Sequence, residues 1–351
     1  MFTWMKRAAV PLLGTVLLLI GFLPVSTAHA DTLLIESFTN GTVANPGDWV
    51  SGGTGSAISG WPGKTCLTAG SNTAQTPIAG CGLDTPDAAG SGALRLSPAN
   101  GSSAGFALYN HALPTSGGLD ISFDQAQYGG SGADGISFFL VNGTADLTAP
   151  GAAGGGLGYT AGNNGVTYTP GVTEGLLGIG IDKWGNFSNT GSAGTGCAAG
   201  NGPGSQGPGQ VPNVVSIRGE GNGTVGYCWL ANSANLGSTL SGGSTRVAAT
   251  VLVHIVIDPS TVAVRHVTVS LNGTQVLQIP ITAALVAATS FKFGFAGSTG
   301  AVTDYHEVWN LNINSVIPVP PSSTSSTSTT TAPTTTAAAA EPVTAAPSFT
   351  G

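Results

Sequence analysis

Charged residues are scarce in this chain of 351 residues. Only 7% of them are Asp, Glu, Lys or Arg, and the 16 acidic side chains outnumber the 9 basic ones, which gives a formal net charge of −7. A nucleic acid or an anionic membrane requires a basic face, and so few cations cannot supply one. We therefore expect no nucleic-acid partner, and solubility that comes from abundant Gly, Ser, Thr and Asn.

Long apolar segments are missing after the first 30 residues. Before that point, Lys6 and Arg7 precede an apolar run at 8–23, and an Ala-x-Ala pattern follows at 28–30. This order is typical of a cleaved export signal, which we place at 1–30. The protein is thus expected to be secreted, extracellular or associated with the cell surface, with no membrane span in its mature chain.

Cysteines are few, and all four lie in the exported part of the chain, at Cys66, Cys81, Cys197 and Cys228. An even number in an oxidising compartment predicts two disulfides, and four cysteines allow three pairings. The pairing of sequence neighbours, Cys66 with Cys81 and Cys197 with Cys228, would close two glycine-rich loops. Each bridge would then stabilise the fold by on the order of 3 kcal/mol.

A sustained helical period is absent as well. Between residues 31 and 317, short apolar runs rich in β-branched residues alternate with turn-rich segments, which predicts one all-β domain built as a two-sheet sandwich. Two connections, 144–175 and 185–213, are too long for hairpins and are expected to be functional or stapled. Residues 318–351, rich in Pro, Ser, Thr and Ala, predict a disordered linker or stalk. The predicted strands lie at 33–38, 93–96, 105–110, 119–127, 136–141, 177–182, 214–218, 247–257, 263–271, 275–281, 290–296 and 305–314.

The glycine-rich loop at 129–135 is the first candidate functional segment. It holds one acid, Asp134, and runs into an apolar strand that anchors it. The loop matches a G-x-G-x-x-G pattern from Gly130 to Gly135, but a strand follows it instead of the helix that a dinucleotide site needs. We therefore expect Asp134 to serve a different kind of site.

The second candidate segment lies at the end of a buried strand. Asp182, Trp184 and Asn186 are spaced two residues apart, so an extended backbone would place all three on one side. A carboxylate, a main-chain carbonyl and an amide oxygen are ligands that Ca²⁺ prefers, and an indole face stacks on a sugar ring. The alternative is structural: a core Trp between a strand-ending Asp and a turn Asn.

Taken in sequence order, these two segments form part of a longer pattern. With the glycines at 154–158, the Gly-Phe-Ala-Gly-Ser-Thr-Gly-Ala segment at 294–301 and His-Glu-Val at 306–308, they resemble the L-type, legume-lectin-like family from about residue 93 to 314. The resemblance implies a concanavalin-like jelly-roll β-sandwich that binds saccharides without cleaving them.

The resemblance also implies a role for each matching residue. Asp134, after a cis peptide, would accept hydrogen bonds from two sugar hydroxyls, and Gly155 or Gly156 would donate a main-chain N–H. Trp184 would stack under the ring and offer its carbonyl to calcium, Asn186 would bridge calcium and sugar, and Ala301 would supply a main-chain contact. Asp182 would complete the calcium ligands.

The metal pattern of the family is incomplete in this chain. Gly180 stands where a glutamate is expected, Thr190 and Gly191 occupy the place of the second aspartate, and Asn213 replaces a histidine. The transition-metal position is therefore expected to be lost. Calcium held by the three residues at the strand end, with one carboxylate instead of two, is expected to bind weakly.

The sequence thus predicts a secreted, non-enzymatic carbohydrate-binding protein whose partners are glycans or glycoconjugates, and it leaves homo-oligomerisation open. Two alternatives remain. One is a surface adhesion or structural sandwich module without sugar binding. The other is a glycoside hydrolase on the same sandwich, although no cluster of acids on one strand supports it.

Overall fold

Two β-sheets packed face to face form the body of the protein in a computed structural model that describes residues 30–163 and 166–319. The all-β sandwich predicted from the sequence is confirmed. All but the last residue of the predicted signal peptide at 1–30, and all but the first two residues of the predicted tail at 318–351, lie outside the described residues. Within the described ranges, no helix has the length and apolar character needed to cross a membrane.

All twelve predicted strand ranges overlap observed strands. The strands are β1 (Thr32–Glu36), β2 (Trp49–Thr54), β3 (Cys66–Leu67), β4 (Ala79–Gly80), β5 (Leu94–Ser97), β6 (Ala104–Pro114), β7 (Leu119–Tyr128), β8 (Gly135–Asn142), β9 (Gly162–Asn163), β10 (Tyr168–Thr169), β11 (Gly175–Asp182), β12 (Val214–Arg218), β13 (Gly221–Asn222), β14 (Val225–Gly226), β15 (Trp229–Asn232), β16 (Thr250–Ile257), β17 (His266–Leu271), β18 (Thr274–Pro280), β19 (Ser290–Ser298) and β20 (Tyr305–Asn314). The helices are α1 (Ser238–Ser241) and α2 (Ala283–Ala287), with 3-10 turns at Pro46–Asp48, Gly154–Gly156, Asn186–Ser188 and Thr190–Ser192.

The back sheet is mainly antiparallel and runs β18-β17-β16-β7-β20-β5-β3-β4, with β1 also paired to β20. The front sheet runs β14-β13-β11-β8-β19-β6-β2, and β12 and β15 extend it beside β11. Strands β16 and β17 alternate between buried and more exposed residues, as expected for a sheet with one face in the core and one in water. Strands β8 and β11 are buried along almost their whole length, so both faces of the front sheet are covered there.

Aromatic rings fill the space between the sheets. Phe123 on β7 meets Phe295 on β19 edge to face, with ring centroids 5.0 Å apart, and Phe138 on β8 lies 5.3 Å from Phe295. Leu, Ile and Val side chains from both sheets complete this core. The burial of these large apolar side chains is the main source of stability for the sandwich.

A third layer of loops covers the outer face of the front sheet. Tyr159 and Phe187 come from the two long connections and pack in one cluster with Tyr227 and with Phe139 of β8. Tyr159 lies directly on Gly178 of β11, where a Cβ atom would overlap its ring. The side chains missing from β11 therefore make room for this layer, which carries one wall of the candidate site.

The two disulfides join sequence neighbours, Cys66 to Cys81 and Cys197 to Cys228. The first closes a loop beside the back sheet, next to the buried Trp61. The second connects the long 185–213 loop to the segment after β14. No free cysteine occurs among the described residues.

Both ends of the described chain lie side by side. Strand β1 pairs with the last residues of β20, and the Asp31 N–H donates to Ser315 Oγ at 2.8 Å while the Ser315 N–H donates to the Asp31 carbonyl at 2.8 Å. At the opposite end of β20, Tyr305 is paired with Tyr128. Because Tyr128 directly precedes the glycine-rich loop, that loop lies at the end of the sandwich away from both chain ends.

Candidate functional site

The glycine-rich loop is fixed to the 299–304 loop by main-chain and charged contacts. The Gly130 N–H donates to Asp304 Oδ1 at 3.0 Å, and the Gly132 N–H donates to the Thr303 carbonyl at 2.9 Å. The Lys183 ammonium lies 2.6 Å from Asp304 Oδ2, and both side chains are buried. This buried ion pair connects the two loops to the segment after β11, so the loop backbone is held firmly.

Asp134 follows Ala133 through a cis peptide bond and is only 6% exposed. Its N–H donates to the Ser298 carbonyl at 2.8 Å, and the Ser298 hydroxyl lies 3.1 Å from Asp134 Oδ2 and 3.2 Å from the Gly154 carbonyl. Oδ1 has no hydrogen-bond partner among the described residues. Burial raises the pKa of Asp134 to about 6, and the Ser298 hydrogen bond opposes this shift.

Asp182 ends β11 and is 1% exposed. Its Oδ1 accepts the Gly185 N–H at 2.7 Å, and its Oδ2 accepts the Phe187 N–H at 2.6 Å, so the carboxylate organises the turn that follows the strand. Burial raises the pKa of Asp182 to about 7; the two N–H donors oppose the shift, and the nearby Asp134 carboxylate adds to it. The two acids are therefore close enough to interact electrostatically.

Trp184 is half-buried beside the glycine-rich loop. Its N–H donates to the Asp134 carbonyl at 2.9 Å, and its own carbonyl accepts from Gln210 Nε2 at 3.0 Å. It lines a cavity of about 660 Å³ together with Gly132 and Asn213. The structure thus brings Trp184 against the Asp134 backbone, on the side of the loop that faces this cavity.

A second cavity, of about 560 Å³, has several glycines and amide side chains among its lining residues. Gly155 packs so closely on Asn186 that a Cβ atom added to it would lie 2.7 Å from Asn186 Cβ. The Ser192 hydroxyl donates to the Asn186 carbonyl at 2.8 Å, and the Asn186 amide nitrogen has no hydrogen-bond partner among the described residues. The lining residues are Ala152, Ala153, Gly155, Gly156, Gly162, Asn163, Thr167, Thr169, Asn186, Asn189, Gly191 and Ser192.

Asp134 and Ser298 connect these features. The Ser298 hydroxyl links the Asp134 carboxylate to Gly154, which precedes the glycine that lines the 560 Å³ cavity. Five of the residues singled out in the sequence therefore lie around one rim of the sandwich, together with Asp182 beneath it. Trp184 lines the 660 Å³ cavity, Asn186 lines the 560 Å³ cavity, and Asp134 lines neither. Ala301 is exposed on the 299–304 loop and also lines neither cavity.

Two residues of the site were missed in the sequence. Ser298, the side chain that bonds Asp134, ends β19 in a segment where the resemblance assigned a role only to Ala301. Arg218 is completely buried at the end of β12 and donates to four main-chain carbonyls, one of which belongs to Asn189 in the wall of the second cavity. The one signal that could have found Arg218 is a cation in a strand that otherwise reads Val-Val-Ser-Ile.

The groups proposed as calcium ligands do not fit a resident metal ion. Both Asp182 oxygens and the Trp184 carbonyl already accept hydrogen bonds from N–H donors, and Asn186 Oδ1 lies 3.3 Å from Asn189 Nδ2. No group of three or more His, Cys, Asp or Glu side chains in residues 30–163 and 166–319 could hold a metal. At Gly180, a Cβ atom would lie 2.6 Å from the Phe187 ring, so the ring fills the space that a glutamate would need.

No protein-family profile and no curated protein sequence matches the chain. Among solved structures, the Ca²⁺-bound exoplasmic/lumenal domain of VIP36 is 14% identical over 82% of this chain and 91% of that domain, with a TM-score of 0.46. The metal-free lectin I-B4 from Griffonia simplicifolia is 18% identical over 80% of this chain and 99% of the lectin, with a TM-score of 0.44. Peanut lectin is 17% identical over 78% and 99%, with a TM-score of 0.39. These neighbours belong to the family that the sequence resembles.

Proposed function

We propose that this protein is a secreted lectin of the L-type kind, which binds saccharides at the rim around Asp134 without cleaving them. The observation that carries the proposal is the state of the Asp134 carboxylate. It is held in place through Ser298 and by its own backbone, yet its Oδ1 has no partner among the residues that the structure describes. Although the residue is largely buried, Oδ1 itself is not fully shielded from solvent. Ligand hydroxyl groups can therefore reach this acceptor and donate to it.

The surroundings of Asp134 suit a sugar better than an ion. Gly155 and Gly156 line the 560 Å³ cavity, where Asn186 offers an amide nitrogen without a partner among the described residues. The half-buried Trp184 offers an indole in the 660 Å³ cavity. Neutral donors and acceptors beside one aromatic face complement the hydroxyls and C–H groups of a saccharide. The same set contains no exposed cation that would favour a phosphate or carboxylate ligand.

Hydrolysis is the less supported alternative. Glycosidases require two carboxyl groups that both reach the scissile bond. Asp134, Asp182 and Asp304 are the acids of this rim, but the last two are buried. Both Asp182 oxygens accept main-chain N–H groups, and Asp304 is held by the Gly130 N–H and the Lys183 ammonium. One accessible acid supports binding only.

The affinity for a single sugar is expected to be low. A few hydrogen bonds and one stacked ring correspond to about −4 kcal/mol, or millimolar dissociation constants. Useful binding to glycans or glycoconjugates would then depend on several sites that act together, either through clustering on a surface or through oligomerisation. The two disulfides and the signal-like N-terminal sequence support a secreted or cell-surface location.

A glycan array probed with the full chain, its Asp134→Asn variant and its Asp84→Asn variant tests the proposal. Asp84 is an exposed aspartate, so its substitution matches the change in charge without touching the rim. We expect the wild type and Asp84→Asn to share a glycan profile that Asp134→Asn loses. An array on which the wild type binds nothing, or on which Asp134→Asn keeps the profile, refutes the proposed site.

A further inference from the structure

The side chain of Arg218 is the centre of a set of loop contacts. Its Nε donates to the Phe187 carbonyl, Nη1 donates to the Tyr227 carbonyl at 2.8 Å, and Nη2 donates to the Asn189 and Gln206 carbonyls at 2.6 Å and 3.0 Å. These acceptors belong to three separate parts of the third layer. One cation therefore ties the 186–189 segment to the parts of the layer around Gln206 and Tyr227, which are joined to each other by a β-bridge between Ser205 and Trp229.

One of these acceptors lies in the wall of the 560 Å³ cavity, and a second is the buried neighbour of a lining residue. Phe187 directly follows Asn186, and Asn189 lines the cavity itself. The position of Asn186 thus depends on two hydrogen bonds. Arg218 donates to the carbonyl of the adjacent Phe187, and the Ser192 hydroxyl donates to the Asn186 carbonyl. Without the guanidinium, several buried carbonyls of this wall would lose their donor, which is costly in a dry interior.

The guanidinium also adds a buried positive charge to this region. Asp182 and Arg218 are coupled electrostatically, and each favours the charged form of the other. Burial lowers the pKa of Arg218 to about 9, so the side chain stays charged at neutral pH. Several main-chain carbonyls around one cation, with a carboxylate near enough to interact electrostatically, resemble the surroundings that a protein gives to calcium. Here a side chain supplies the cation.

We propose that Arg218 is a built-in cation that positions the Asn186–Ser192 wall, so that saccharide binding needs no metal ion. The proposal rests on the proposed sugar-binding function, but it makes a separate statement about what orders the wall. The Phe187 ring over Gly180 and the occupied Asp182 oxygens leave no place for a metal in this role. Arg218 acts through Asn186 and is a positioning residue.

The first test uses the wild-type full chain and needs no variant. Metal content is measured by elemental analysis, and amide hydrogen exchange of residues 186–192 is followed after dialysis against EDTA and again with added CaCl₂. We expect no stoichiometric calcium and the same slow exchange in both buffers. Exchange that accelerates in EDTA and slows again with calcium overturns the proposal, whether or not any glycan binds.

The second test compares Arg218→Lys with Arg265→Gln, and both are measured for exchange and for affinity toward a glycan selected on the array. Arg265 also donates to a main-chain carbonyl, that of Asp258, but in the turn before β17. Lysine keeps the positive charge but lacks the planar guanidinium group that bonds several carbonyls at once. The loss of these charged hydrogen bonds predicts a glycan affinity about tenfold lower or more. Faster exchange confined to 186–192 should accompany it, while Arg265→Gln leaves both readouts unchanged.

Chemical rescue separates positioning from general stability. In Arg218→Ala, guanidinium ion below denaturing concentrations should restore the slow exchange of 186–192 and part of the affinity, whereas NaCl at equal ionic strength should not. Wild-type affinity in Arg218→Lys contradicts the proposal. If no glycan binds the wild type, the proposed function fails, but the exchange and metal measurements still decide the role of Arg218.

Discussion

Asp134 combines burial with an oxygen that no described residue satisfies, and this combination predicts a pH dependence of binding. Its pKa is raised to about 6 by burial, and only the ionised form offers both oxygens as acceptors. Glycan affinity should therefore be constant above about pH 7 and fall about tenfold per pH unit well below pH 6. Isothermal titration calorimetry across this pH range measures the pH at which the affinity begins to fall. A flat profile in the wild type would separate binding from this carboxyl.

The raised pKa of Asp134 also affects stability: ionisation favours glycan binding but disfavours the folded state. Because the pKa of Asp134 is higher in the folded protein than in the unfolded chain, ionisation lowers the free energy of unfolding as the pH rises through about 6. The neutral amide in Asp134→Asn avoids this cost. The variant that loses binding should thus be at least as stable as the wild type at pH 7, which distinguishes a binding residue from a structural one.

His306 predicts loss of stability in acid. The side chain is fully buried, Nδ1 lies 2.6 Å from Ser97 Oγ, and burial together with the charge of Lys183 lowers its pKa to about 3. Between about pH 6.5 and 3 the unfolded chain binds a proton that the folded protein does not, so the free energy of unfolding falls as the pH drops. Urea unfolding of His306→Gln at about pH 7 and pH 4.5 should show a smaller difference than in the wild type. An equal difference would contradict this role.

At the residue scale, sequence reasoning works where the backbone itself is unusual. A lone acid among glycines pointed to Asp134, because glycines allow close approach of loops. Ser298 and Arg218 could not be found in this way, since their roles come from partners that are distant in sequence: 164 residues separate Ser298 from Asp134. Only the folded sandwich brings such pairs together.

Among the elements, the 3-10 turn Gly154–Gly156 gives the sharpest prediction. Gly155→Ala would place a Cβ atom 2.7 Å from Asn186 Cβ and 3.1 Å from Ser192 Oγ, which forces the cavity wall outward. We expect glycan affinity to fall about tenfold while the protein still folds, as for other overpacked sites. Gly202→Ala, in the other long loop with open space around it, is the control. Equal affinity in both variants would show that this wall does not contact the sugar.

The strands themselves show which sequence signals are reliable. The range predicted at 247–257 begins late, at Thr250, because a turn at 245–249 comes first. The range at 263–271 begins at His266, because Arg265 and the His266 N–H bond Asp258 in a turn.

Strand β2 was missed altogether, since Gly52 and Gly53 resemble a loop. A Cβ atom at Gly52 would lie 2.6 Å from the Phe106 ring, so the glycine is required by packing.

For the whole molecule, the two disulfides make a matched pair of tests. Replacing Cys197 and Cys228 with Ser opens a loop with a sequence separation of 31 and should lower the free energy of unfolding by on the order of 3 kcal/mol. Because this bridge lies beside Tyr227, whose carbonyl bonds Arg218, glycan affinity should fall as well. Replacing Cys66 and Cys81 should reduce stability similarly and leave affinity unchanged. Chemical unfolding and titration of both variants decide this.

The sandwich was predictable as a whole because its alternating strands and turn residues recur throughout the domain. The third layer was not, because its members are single rings, Tyr159, Phe187 and Tyr227, separated by long glycine-rich stretches without any period. The same layer carries the wall around Asn186. The part of the site that sequence reasoning describes least is therefore the part built from irregular backbone.

The side-by-side ends of the described chain determine how the protein would present its rim. Strand β20 has ten residues and runs from the pair with Tyr128 to the pair with β1, a distance of roughly 30 Å. A bead, sensor chip or fusion partner attached after Val319 would thus hold the sandwich by the end opposite to the glycine-rich loop. Asp134 would point away from the support, and large immobilised glycoconjugates could reach it without steric hindrance from the anchor.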